Sequence, residues 1–187
     1  MKDIRQAYQQ KQWPAVVKAG QALLNNQQTT DDQKKETYLL LGSALKQSDQ
    51  VQQAIKILEE GIKSYPNLPG LYHNLGNCYK QLGSEGKWPA IRNYLKAQNL
   101  GLRSGSLALS LSRSFQSLSF PSLAYQCLTD WIRNKNPDEE PTAEALIALI
   151  ELAGTVLEDT EADSIGSWCL DSFGEQETLE GQASMAI

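Results

Sequence analysis

The sequence predicts an all-α protein, a helical-repeat solenoid built from antiparallel helix hairpins, and three observations carry that prediction. Leu, Ala and Gln supply 26, 17 and 18 of the 187 residues and Val only 4, so helix formers far outnumber the β-branched residues that strands favour. A pattern of large and small residues recurs first after 34 and then after 36 residues, an interval at which a chain is read as stacked supersecondary units. No apolar stretch approaches the roughly 20 residues that span a bilayer, and the opening MKDIRQAYQQKQW has no apolar signal core, so a cytoplasmic protein is expected.

The elements follow in order. Trp13, Pro14 and Ala15 echo Trp88, Pro89 and Ala90, with Ala22 placed as Ala97 is, which predicts a degenerate first hairpin over 2–26. Proline in a first helical turn loses no hydrogen bond. A first full repeat, about 35–68, sets Tyr38, Leu41, Gly42 and Leu45 on one helix and Ala54, Leu58, Gly61 and Pro66 on the next. The second, 69–102, has Tyr72, Leu75, Gly76 and Tyr79, then Ala90, Tyr94, Ala97 and Leu102, with two extra residues in the turn at 83–89. The third, 105–137, has Ala108, Leu111, Ser112 and Phe115, then Ala124, Leu128, Trp131 and Asn136.

In that third repeat SLALSLSRSF alternates apolar and polar residues as a strand would. The 13 residues from Leu111 to Ala124 equal those from Leu41 to Ala54, and a lone strand in a helical stack has no partner for its backbone, so a helix is predicted. Eight Ser between 104 and 122 imply a weaker one. After an NPDEEP linker, Ile150, Gly154 and Leu157, then Gly166, Leu170 and Phe173, repeat the spacing and predict a divergent helix pair over 138–173. Residues 174–187 read as an acidic tail or linker.

Small residues at fixed places let one helix approach the next while a large residue fills the gap. With W-x2-L-G-x2-Y followed by A-x3-F and P in 34 residues as the reference, the chain resembles the tetratricopeptide repeat (TPR) family. The departures are Tyr38 for Trp, Leu45 for Tyr, Leu58 for Phe, Gly61 for Ala and Leu102 for Pro. The resemblance implies a right-handed superhelix whose concave groove is lined by the first helix of each hairpin, and a non-catalytic scaffold or adaptor that binds a protein or extended peptide there. Counted in the repeat frame, the groove residues chosen as candidates are Lys46, His73, Asn74, Asn77, Lys80 and Arg113. The two Asn suit peptide amides and the cations suit carboxylates, so an acidic partner is expected. His73, the one histidine, takes a groove position as an exposed polar residue. A carboxylate clamp is not matched, because Leu39 and Ser43 stand where it needs Lys and Asn. An asparagine ladder is matched by Asn74 alone, with Leu40 and Ser110 at its other rungs.

Catalysis finds no constellation: one His has no nearby nucleophile and no Gly-rich phosphate loop is present, so neither enzyme nor cofactor is expected. Cys78, Cys127 and Cys169 show no metal or redox spacing and read as small buried hydrophobes. The run EDTEADS at 158–164 lacks the Gly and Glu of a calcium loop and reads as a solvated acidic turn, with no metal. Charge is divided: residues 1–137 carry 17 bases and 9 acids, residues 138–187 carry 13 acids and no base. Bases scattered over every helix and an acidic end argue against nucleic acid. The same split suggests that Glu175, Glu177 and Glu180 lie back in the groove and compete with the partner. The competing reading of the whole is an N-terminal substrate-docking arm of a larger enzyme such as a glycosyltransferase.

Overall fold

The computed structural model describes residues 2–135 and 139–173. Asn136, the acidic stretch 174–187 and the side chains of Leu170 and Phe173 lie outside the described residues, and with them the expectation of a tail folded into the groove. Every regular element among the described residues is helical: α1 Lys2–Gln9, α2 Trp13–Asn25, α3 Asp31–Gln47, α4 Val51–Ser64, α5 Pro69–Gln81, α6 Lys87–Asn99, α7 Gly105–Gln116, α8 Pro121–Asn134, α9 Ala143–Val156 and α10 Asp159–Phe173. Consecutive helices pack against one another from α1 to α6 and again from α7 to α10, the all-α helical-repeat architecture that the sequence predicts.

The chain divides into two compact units, 1–102 and 103–187. Within the first unit the odd-numbered helices also touch one another, α1 with α3 and α3 with α5; within the second, α7 touches α9. The odd-numbered helices are the first helices of their hairpins.

Local sequence explains the helix ends. Thr30 caps α3 in a reciprocal capping box: its hydroxyl accepts from the Gln33 amide and the Gln33 side chain accepts from the Thr30 amide. The helix therefore starts before residue 35, where the repeat pattern begins. Pro14, Pro69 and Pro121 sit in the first turns of α2, α5 and α8, where no hydrogen bond is lost. The turn before α6, lengthened by two residues, holds a single 3-10 turn at Gly83–Gly86, entered at Gly83 with φ +69°. At Gly86 a Cβ would stand 1.7 Å from the Tyr79 carbonyl oxygen, so the turn needs glycine there.

Packing in the first unit rests on the glycines of the repeat. A Cβ on Gly42 would lie 2.5 Å from Leu58 and one on Gly76 2.5 Å from Tyr94, both large side chains fully buried. Burying each stabilises the fold by about 1.5–3 kcal/mol. Leu41, Leu45, Leu71 and Leu75 complete this core, and Ile4, Val16 and Ala44 close the hairpin at the N-terminal end.

The second unit is cored by Ala108, Leu128, Trp131, Leu146, Leu149 and Ile150. The stretch that alternates like a strand is helix α7, capped by Ser104, whose hydroxyl accepts from the Leu107 amide. Its serines bond back into their own helix, Ser114 to the Ser110 carbonyl at 2.7 Å and Ser117 to the Ser114 carbonyl at 2.8 Å.

Two expectations need correction here. In the NPDEEP linker, Glu139 accepts from the Gly105 amide at 2.8 Å and, through its carbonyl, from Lys135 at 2.6 Å. The acidic run at 158–164 is the start of α10 rather than a turn, since Asp159 and Glu161 in a first turn favour the positive end of the helix dipole. Gly154 is exposed with open space around it, so α9 packs through Leu146, Leu149 and Ala153 instead.

Candidate functional site

The site residues read from the sequence fall on three first helices, Lys46 on α3, His73, Asn74, Asn77 and Lys80 on α5, and Arg113 on α7. The first five belong to one compact unit and Arg113 to the other. Helical spacing brings His73, Asn77 and Lys80 to one face of α5.

The two asparagines are engaged inside the unit. Asn74 Nδ2 donates to the Leu39 carbonyl at 3.2 Å and so ties α5 to α3. Asn77 Oδ1 accepts from the Tyr94 hydroxyl at 2.8 Å. Tyr94 comes from α6, passes the gap that Gly76 leaves and ends at the Asn77 amide, a reach that Leu58 at the matching place in the previous repeat cannot make. One amide group of each is thus already committed to folding.

His73 is not the exposed polar residue expected. Its ring stands 5.8 Å from the Tyr94 ring, tilted by 58°, and its Nε2 is buried with no hydrogen-bond partner among the described residues. Burial first, then the nearby positive charge of Lys46, holds its pKa below the ordinary 6.5, so the ring is neutral at pH 7. Lys46 is half-buried and Lys80 exposed. Leu39 and Leu40, at positions the repeat frame assigns to the groove, pack into the cores instead.

Arg113 is engaged as well. Its guanidinium is paired with Glu144 of α9, with the two side chains 44% and 58% exposed. The first unit holds the same arrangement: Arg5 of α1 grips Glu36 of α3 through two nitrogens, again over 31 residues. Arg113 therefore does not present an uncompensated positive charge.

What sequence reasoning missed is a cavity of about 450 Å³ between α7 and α9, lined by Arg113 and Gln116 on one side and by Glu144, Ile147, Ala148 and Glu151 on the other. Glu144, Ile147, Ala148 and Glu151 recur three or four residues apart, a pattern legible as one helical face.

Burial keeps the cysteines inert. It pushes the thiols of Cys78, Cys127 and Cys169 up to about 11, far from a reactive thiolate. Cys78 and Cys169 are buried as expected, and Cys127 is half-buried. Among the described residues no helix is long and apolar enough to cross a membrane, and no three His, Cys, Asp or Glu converge on one point.

The family profile of the tetratricopeptide repeat matches residues 35–68. Among solved structures, the chain is similar to TTC0263, a thermophilic TPR protein of Thermus thermophilus, at 19% identity over 98% of this chain and 94% of that one, with a TM-score of 0.67. MamA is matched at 18% identity over 95% of this chain and 98% of that one, with a TM-score of 0.72. YrrB, a TPR protein with an unusual peptide-binding site, is matched at 18% identity over 80% of this chain and 74% of that one, with a TM-score of 0.61. No curated protein matches the chain in sequence. One tetratricopeptide repeat is recognised in the sequence at 35–68, and the chain shares the helix-hairpin fold of solved TPR structures.

Proposed function

We propose that the chain is a non-catalytic protein-interaction module that holds an extended segment of a partner protein against the first helices of its hairpins. One observation carries this reading: the cavity between α7 and α9, of about 450 Å³, opens where two first helices meet, and a preformed concavity with a few converging polar groups is the default binding site of a fold. The similarity to YrrB, a TPR protein with an unusual peptide-binding site, supports it by analogy of fold.

In the first unit we assign an acidic stretch of the partner to Lys46 and Lys80, with His73 between them on the α5 face. Residues 1–102 carry 13 bases against 8 acids, a net charge of +5 that draws such a segment in. The unpartnered Nε2 of His73 costs about 1–3 kcal/mol of desolvation, which a ligand that turns the ring out and bonds it relieves.

The test is selection of a random peptide library displayed on phage against the full chain, followed by binding of the recovered peptides to the double variant Lys46→Glu, Lys80→Glu. Recovered peptides rich in Asp and Glu that lose at least tenfold in affinity on the variant, with helicity unchanged, support the reading. A library that yields no binder refutes it, and binders indifferent to the variant refute the assignment of an acidic stretch to Lys46 and Lys80.

A further inference from the structure

We propose that the cavity between α7 and α9 is a subsite for a basic side chain, the lysine or arginine of a partner's extended segment. This rests on the reading that the first-helix faces bind peptide, and it names the chemistry of one place on them.

The lining includes Ile147 and Ala148, against which the aliphatic stem of a long cationic side chain can lie. It also carries two carboxylates, Glu144 and Glu151, against one guanidinium, Arg113. Arg113 is paired with Glu144, and Glu151 stands exposed one helical turn beyond Ile147 with no ion pair among the described residues. The lining is thus net negative, and so are its surroundings: residues 103–187 carry 14 acids against 4 bases. An anion entering here meets Glu151 and a guanidinium already neutralised, whereas a cation meets a carboxylate that lacks a partner. Charge complementarity commits the site to a cationic occupant. Arg113 then competes with that occupant for Glu144, which makes it an obstacle to binding rather than the anchor that its charge suggests.

The experiment titrates the full chain with a capped five-residue alanine peptide bearing a central lysine, and with its norleucine and glutamate counterparts, following backbone amide signals by NMR. The expected result is that only the lysine peptide shifts amides of α7 and α9, that Glu151→Gln weakens it about fivefold, and that Arg113→Gln tightens it by freeing Glu144. Thermal unfolding of each variant checks the fold, and these residues are exposed enough to change without unfolding it. Equal shifts from norleucine or glutamate, or an affinity unmoved by Glu151→Gln, overturn the subsite. If that happens while displayed peptides still bind the wild-type chain through Lys46 and Lys80, the subsite alone is wrong; if no displayed peptide binds, the interaction reading itself fails.

Discussion

Gly76 and Ser112 occupy the same place in the repeat, one in each compact unit, and are opposed in sequence register by Tyr94 and Leu128, both fully buried. In the first unit the glycine lets Tyr94 through, and its hydroxyl finds Asn77 while its ring meets His73. In the second the serine brings a hydroxyl into the core, where its Oγ is buried without a hydrogen-bond partner among the described residues. The first unit thus uses its polar first-helix side chains to lock helix to helix. The second leaves a cavity between α7 and α9 and spans it with the exposed Arg113–Glu144 pair. The same repeat positions thus hold a tyrosine with polar partners in one unit, and in the other a leucine and a serine hydroxyl without a partner among the described residues.

This contrast can be broken by mutation, and the largest effect is expected at Tyr94. Tyr94→Ala empties a fully buried site and should cost about 3–5 kcal/mol, read by urea denaturation. Tyr94→Phe removes the hydroxyl that bonds Asn77 and should cost about 1 kcal/mol; no loss would mean that the hydroxyl ties nothing together. Ser112→Ala in the other unit should go the opposite way, raising stability by up to about 1 kcal/mol because an unpaired hydroxyl leaves the core.

The smallest effect concerns pH. His73 has a folded pKa below its ordinary 6.5, so the unfolded chain binds the proton more readily than the folded one. Stability should be fully present above about pH 6.5 and decline as pH falls through the depressed folded value. His73→Gln should flatten that part of the profile, while a profile unchanged by the substitution would place the dependence elsewhere.

How much of this was legible in the sequence differs between fold and site. Gly42, Gly76 and Ala54 announce the hairpins because packing positions follow a fixed period, and the chain obeys it. The α3 start was legible too, in Thr30 and Gln33, though the repeat pattern drew the boundary later. Site residues are another matter, since Lys, Asn and Arg are read one helix at a time while their partners come from the next one. Asn74 bonds a carbonyl 35 residues away and Arg113 a carboxylate 31 away. No single-helix pattern shows this. The recurrence of 31 in Arg5–Glu36 and Arg113–Glu144 is a signal that a search for opposite charges at that separation would find.

The central claim is that the first helices, not the second, are the binding face. It is tested most directly by adding a peptide recovered from the displayed library to the full chain and mapping which backbone amides move. The predicted changes concentrate on α3, α5, α7 and α9, with α4, α6, α8 and α10 nearly still. Changes confined to the second helices, where Trp88, Leu95 and Trp168 are exposed, would contradict it.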